Sequence, residues 1–143
     1  MKPKNLVIAC LGLVLIVSCR EEKKSSDPDS QMNKVMAIHD EVMPKIGSMG
    51  KLVGELSSKE DSTALGLQYK SARRGLQEAH KAMMDWMQGF GNRFDSDEIL
   101  NGKKLSEQKQ VWLNEEEEKV KALRDQINSS IETAETLLES NRK

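Results

Sequence analysis

The sequence predicts an all-α fold, an up-down-up antiparallel bundle of three long helices, and three observations support this prediction. Apolar residues recur at alternating spacings of three and four along three segments, the pattern of helices that pack through one face. Only 3% of the residues are aromatic and three are proline, a composition that suits helices better than sheets. Short polar connections separate the segments, so consecutive helices should run antiparallel.

The first predicted helix begins near Met32 and ends at the polar turn of residues 57–62. Proline lacks a backbone N–H, so Pro44 inside this segment predicts a kink. The apolar seam contains one polar member, a histidine. It comprises Met32, Val35, His39, Val42, Ile46, Met49, Val53 and Leu56.

The second predicted helix has Asp61 or Ser62 as its N-cap and ends at residues 89–92, where Gly91 or Asn92 is available for a left-handed cap. Its spacing again alternates between four and three. The seam comprises Leu65, Tyr69, Ala72, Leu76, Ala79, Met83, Trp86 and Phe90.

Residues 93–104 form a connection in which Ile99 and Leu100 should tuck onto the end of the bundle. Its acidic residues lack the spacing of a calcium-binding loop, so capping by Asp95 or Ser96 is the better interpretation. Ser106 can cap the third helix. The third seam, interrupted by one glutamate, comprises Leu113, Glu116, Val120, Leu123, Ile127, Ile131, Ala134 and Leu138.

The first nineteen residues predict a lipoprotein signal peptide. Lys2 and Lys4 precede a twelve-residue apolar stretch, which is too short to span a bilayer as a helix. The segment Ile16-Val17-Ser18-Cys19 resembles the lipobox of bacterial lipoproteins, in which the cysteine is lipidated and becomes the new amino terminus. The predicted organisation is therefore a signal peptide (1–18), a lipidated Cys19 with a flexible tether (19–30) and a helical domain (31–143).

The charge balance disfavours two kinds of partner, nucleic acid and anionic lipid surfaces. The chain carries 22 basic and 23 acidic residues. Removing Lys2 and Lys4 with the signal leaves 20 against 23, a net charge near −3, so neither nucleic acid nor an anionic lipid surface is favoured as a partner. Cys10 leaves with the signal and Cys19 would carry the lipid, so the helical domain has no cysteine for a disulfide, a nucleophile or a metal site.

Three stretches resemble a group of small lipoproteins of Bacteroidota that often carry the label "viral A-type inclusion protein". They are residues 39–47, 83–90 and 112–120, and the resemblance extends over nearly the whole chain after the signal peptide. It implies an envelope lipoprotein and nothing catalytic. Residues 20–22 (Arg-Glu-Glu) also resemble the short charged export signal of surface lipoproteins in that phylum, so an outer-membrane location, on the periplasmic or the surface face, is expected.

The most specific functional hypothesis is a metal site. If the first two helices turn near residue 60 and the last two near residue 98, then His39, His80 and Glu116 share one layer of the bundle. Thioethers with imidazole suit copper, two imidazoles with a carboxylate suit zinc or iron, and axial His and Met suit non-covalent haem. The methionines at the edge of this layer are Met36, Met83 and Met84.

A plainer interpretation stands beside this one. Methionine commonly fills gaps in cores, and a histidine in a seam commonly bonds a neighbouring carboxylate. Neither a nucleophile–base pair nor a phosphate-binding loop is present, so we expect no enzyme activity. The favoured function is a binding or scaffold module that contacts a protein partner or a second copy, and the alternative is a carrier of copper or haem. The aromatic residues that could anchor a partner, or cap the core instead, are Trp86, Phe90, Phe94 and Trp112.

Overall fold

The computed structural model of the protein describes residues 30–142, and this part of the chain is all-helical, as predicted. Three long helices, α1 (Gln31–Ser57), α2 (Ala64–Arg93) and α4 (Glu107–Ser140), pack against one another in all three pairings. A short helix, α3 (Ser96–Leu100), lies in the segment that the sequence analysis treated as a connection. The predicted signal peptide and lipobox, residues 1–19, lie outside the described residues, as does most of the tether.

Polar contacts between the long helices establish their directions. The Gln31 side chain donates to Asn114 (3.0 Å) and the Lys45 side chain donates to Asn128 (2.7 Å), both across 83 residues of sequence. A constant offset means that α1 and α4 run parallel. The end of α2 meets the beginning of α4, because Arg93 Nη1 donates to Glu116 Oε1 (2.8 Å), so α2 runs antiparallel to α4.

Each long helix begins at a serine or threonine whose hydroxyl accepts a backbone N–H three residues later. These N-caps are Ser30, Thr63 and Ser106. Ser106 was the predicted N-cap of the last long helix, and the structure confirms it. The N-cap of α2 is Thr63, one or two residues later than the predicted Asp61 or Ser62. Asp61 instead accepts a hydrogen bond from the Thr63 backbone (2.9 Å). The prediction that α2 stops within residues 89–92 was also wrong, since helical geometry continues to Arg93 and the cap at Phe94 is extended.

The core is one cluster along the bundle axis, and it follows the predicted seams closely in α2 and α4. In α1 the match is weaker, because His39 is only partly buried while Leu52, which lies off the seam, is buried. Leu65 begins the second seam but is 36% exposed. Helix α1 continues through Pro44, which lies on the exposed side. The largest fully buried side chains are Met49, Leu56, Leu76, Met83, Leu113, Ile127, Val35, Val42 and Val120.

A capping box holds the connection between α2 and α4. The Glu98 backbone donates to Asp95 Oδ1 (3.0 Å), and the Asp95 backbone donates to Glu98 Oε2 (2.8 Å), which satisfies two donors at the start of α3. Lys109 of α4 donates to the same carboxylate (2.5 Å), so the connection is joined to the next helix. Ile99 packs partly against the core, whereas Leu100 is 68% exposed, so the prediction that both tuck in was wrong for Leu100.

The pKa of Glu98 reflects two opposing effects. Burial alone would raise the pKa of this carboxyl, which is 5% exposed. The hydrogen bonds from Lys109 and from the Asp95 backbone outweigh burial, and they hold the pKa below its usual range. The stabilisation from Glu98 is therefore fully present above the pKa of glutamate in an unfolded chain, about 4.3. It is lost as the pH falls through the lower pKa of the folded state.

We expect Leu76→Ala to lower the free energy of unfolding by about 2–5 kcal/mol, because the side chain is fully buried and its removal leaves a cavity. Leu67→Ala is the matched control in the same helix, since Leu67 is 56% exposed, and its effect should stay within about 0.5 kcal/mol. Urea unfolding followed by circular dichroism measures both. Equal losses for the two variants would contradict this description of the core.

We expect Glu98→Gln to lower the free energy of unfolding at neutral pH by about 1–2 kcal/mol, because the amide cannot replace the charged hydrogen bond from Lys109. The difference from the wild type should stay constant from pH 7 to about pH 4.3, the pKa of glutamate in an unfolded chain, and should shrink as the pH falls further and the wild-type carboxylate becomes protonated. Glu135→Gln, an exposed position on α4, serves as the control. A difference that stays constant as the pH falls below about 4.3 would show that Glu98 acts through shape rather than charge.

Candidate functional site

Aromatic side chains form a ladder at the end of the bundle where α2 stops. Trp86, Phe90 and Phe94 follow one another at a spacing of four, so they lie on one face. The ring centroids are 5.0 Å apart between Trp86 and Phe90, and 4.8 Å apart between Phe90 and Phe94. His39 of α1 extends the ladder, with its ring centroid 6.1 Å from that of Trp86. The three aromatic residues are buried, so they build the core at this end and are not surface contacts for a partner.

A charged cluster covers the ladder between α2 and α4. Arg93 Nη1 donates to Glu115 (2.7 Å) and to Glu116 (2.8 Å), and its guanidinium lies 5.3 Å from the ring centroid of Trp112. Lys119 also donates to Glu116 (2.9 Å). The Glu116 side chain is only 4% exposed, and two cations are the compensation that a buried carboxylate needs. Trp112 is thus partly covered by Arg93.

Two grooves open on the outer face between α2 and α4. The smaller, about 510 Å³, adjoins the charged cluster and is lined by Trp86, Gly89, Arg93, Glu116, Lys119 and Leu123 among others. The indole N–H of Trp86 is buried and has no hydrogen-bond partner among the described residues. The larger groove, about 820 Å³, lies farther along the same two helices. Small or uncharged side chains dominate its lining, among them Ser71, Ala72, Gly75, Ser130, Thr133 and Leu137.

The predicted register between α2 and α4 was wrong. The prediction placed Glu116 level with His80, but the structure places it against Arg93, which is thirteen residues farther along α2. The turn is centred near residues 104–105, midway between Arg93 and Glu116, so the register differs from the prediction by about three and a half helical turns. Glu116 therefore serves an ion-pair cluster and does not share a layer with His80.

The two histidines also lie at different levels. His39 is beside Trp86, whereas His80 is exposed and lines a small groove with Ile46 and Gly50 of α1. Ile46 follows His39 by two helical turns, so the histidines are separated by about 10 Å along the bundle axis. Within residues 30–142, no group of three or more His, Cys, Asp or Glu side chains is placed to hold a metal ion.

The methionines that the sequence analysis assigned to the metal site also separate. Met83 is fully buried in the core, whereas Met36 and Met84 are partly buried at its edge. The larger groove is lined by neither histidine nor methionine, so it offers no axial ligand to a haem. The ligand set that the sequence suggested is thus not assembled as a unit.

Sequence reasoning missed the cation partners of Glu116 and both grooves. A polar residue that interrupts an apolar seam is a usable signal, because a buried carboxylate requires a cation nearby. Arg93, just beyond the last aromatic of the second seam, was the available candidate. The grooves had no comparable signal in the sequence, because glycine and serine on a helix surface fit ordinary solvent-exposed positions as well as they fit a groove.

No protein-family model matches this chain, and neither a curated protein nor a solved structure shows significant similarity to it. The resemblance to the Bacteroidota lipoproteins therefore stays a prediction. No helix within residues 30–142 is both long and apolar enough to cross a membrane.

Proposed function

We propose that the protein is a non-enzymatic, lipid-anchored module of the bacterial cell envelope, and that its up-down-up bundle binds a helix of another protein between α2 and α4. The observation that carries the binding proposal is the larger groove on that face. The anchor is proposed from the lipobox, and the outer membrane is the proposed location.

The lipid anchor rests on the order of the first nineteen residues. A positive start, a short apolar stretch and the Ile16–Cys19 segment occur at the spacing of a lipoprotein signal. Each buried methylene of an acyl chain contributes about 0.8 kcal/mol, so two or three chains on Cys19 would hold the domain stably at a membrane.

The groove has the features that accommodate a helix. Small side chains allow a second backbone to approach closely, and an amphipathic helix can lay its apolar face into such a surface. Added methyl groups at Gly75 and Gly89, built on the backbone, would meet no atom within 4 Å, so the surface above both glycines is open. These two glycines lie fourteen residues apart on α2 and line the two grooves, which makes this face continuous along most of the helix.

A bound helix would complete a four-helix arrangement. The three long helices already contact one another in all pairings, so an added helix gains contact only from outside, along one of the three surface furrows. The α2–α4 furrow contains the larger groove, about 820 Å³, and the smaller one beside it. The charged side chains at the Arg93 end of the furrow would select partners by charge. The Gly75 end has small side chains, which allow close approach, and serine and threonine hydroxyl groups, which can form hydrogen bonds.

We expect Cys19→Ser to abolish lipid attachment and processing, because serine lacks the thiol that receives the lipid. Incorporation of labelled palmitate in bacteria, with the shift from precursor to mature mass, measures this. Cys10→Ser is the matched control, since it removes the other cysteine of the signal segment and should leave labelling unchanged. Unlabelled wild-type protein, or labelled Cys19→Ser protein, would contradict the anchor.

We expect a photo-crosslinking amino acid at Gly75 to capture a second protein in the native envelope, because this position lines the groove and has space for a large side chain. The same residue at Gly54, an open glycine on α1, is the matched control. A Gly89→Trp change in the Gly75 crosslinking background should weaken capture, since it fills the other end of the same face. Equal capture from Gly54, no capture from Gly75, or a product that contains only two copies of this chain would overturn the proposed partner.

A further inference from the structure

The methionines of the described chain divide into two sets. Met32, Met49 and Met83 are buried in the core, where any apolar side chain of similar volume would serve. The other four are partly buried or exposed, and they fall on the two helices that also carry the histidines. This second set comprises Met36, Met43, Met84 and Met87.

The set on α1 follows a single line along the helix. Gly50 lines the small groove that His80 borders, so its side of α1 faces α2. Met43 precedes Gly50 by seven residues and Met36 precedes Met43 by seven, which places all three on this side. His39, which neighbours Trp86 of α2, lies between the two methionines along the same helix.

The set on α2 follows a matching line. Gln77 and His80 border the small groove, which identifies the side of α2 that faces the α1 furrow. Met84 follows Gln77 by seven residues, and Met87 follows His80 by seven, so both methionines continue this line. The α1–α2 furrow is therefore a different face from the α2–α4 grooves.

Two observed contacts between α1 and α2 show which methionines of the two helices lie at the same height along the bundle axis. His39 lies beside Trp86, and Ile46 shares a groove with His80. Met43 falls between His39 and Ile46 on α1, whereas Met84 falls between His80 and Trp86 on α2. The two thioethers thus occupy the same level of the furrow, within about one turn of His39.

The His39 ring is already held in an orientation that suits a ligand. Its Nδ1 atom is 2.9 Å from Asp40 Oδ1, and the side chain is only 16% exposed. Histidine ligands commonly bond a carboxylate through one ring nitrogen while the other binds the metal. This contact leaves Nε2 of His39 as the ring nitrogen available to a ligand.

We propose that His39, Met43 and Met84 form a binding site for a soft monovalent cation, Cu(I) or its analogue Ag(I). One imidazole and two thioethers match the preference of such ions for soft donors, and trigonal coordination needs only three. Met36 and Met87 flank the site toward the start of α1. The site keeps His39 and Met84 of the sequence hypothesis, omits His80, Glu116 and Met83 as ligands, and adds Met43. It should reject Zn(II), which requires imidazole or carboxylate ligands that do not converge here.

Calorimetric titration with Ag(I) tests the site in a chain that begins at Arg20, which retains every described helix and lacks both cysteines. We expect one equivalent to bind, with Zn(II) giving no comparable heat. Met43→Leu/Met84→Leu should weaken Ag(I) binding by about tenfold or more, because it removes two ligands and preserves apolar volume. Met49→Leu is the matched control on α1 and should bind as the wild type does, since Met49 is buried in the core.

Methyl NMR of the unsubstituted chain provides a second measurement that does not depend on how the variants fold. Ag(I) should shift the ε-methyl signals of Met43 and Met84 first and leave those of Met49 and Met83 unchanged. Absence of binding by the unsubstituted chain, undiminished binding by the double variant, or equal shifts at the core methionines would each overturn the proposal. The first of these results would leave the furrow as a packing surface.

Discussion

The axial register of the bundle depends on the capped turn at residues 95–98. The reciprocal hydrogen bonds between Asp95 and Glu98 stop the chain after α2 and start a short helix, and Lys109 joins that helix to α4. The turn therefore sets how far α4 is displaced along α2. Every lateral neighbour of α4, including the contact between Arg93 and Glu116, follows from this displacement.

Buried charges give this register a selectivity that apolar packing lacks. Apolar seams that repeat every seven residues can slip by one repeat and still match apolar to apolar. A slip of α4 by seven residues would bring Leu123 or Lys109 opposite Arg93, and Glu116 would keep Lys119 of its own helix but lose Arg93. Removing one of the two cations from a buried carboxylate is unfavourable, so the pair with Arg93 penalises slipped arrangements even if its net contribution to stability is small.

Local periodicity was enough to predict the class of fold and most of the core. Met83 and Val120 were placed by spacing alone and are fully buried, and Ser106 was identified as a cap because its hydroxyl acts within one turn. The register could not be obtained in the same way, because it depends on how many residues the connection uses. Treating residues 93–104 as a simple link, without α3, shifted the expected neighbours of Glu116 by about three and a half turns.

The types of ligand in the candidate site were predictable from the sequence, but the particular residues that form it were not. His39 and Met84 were recognised from their residue types and spacing. The spacing also places Met43 on the face of His39, but its level relative to Met84 became known only from the contact of His39 with Trp86 and the groove shared by Ile46 and His80. A soft-donor site across two helices requires both the face and the level of each ligand. The face can be read from a sequence, whereas the level comes from three-dimensional neighbours.

The proposed anchor assigns the two ends of the bundle different surroundings. Eleven residues separate Cys19 from the start of α1, and covalent geometry limits them to about 40 Å. Helix α4, at about 1.5 Å per residue, is about 50 Å long. The end nearer a membrane then carries the aromatic ladder, the Arg93 cluster and the exposed side chains of Leu100 and Val111. The larger groove extends toward the opposite end of α4, so a helix bound there would be held away from the lipid surface, where a partner has unhindered access.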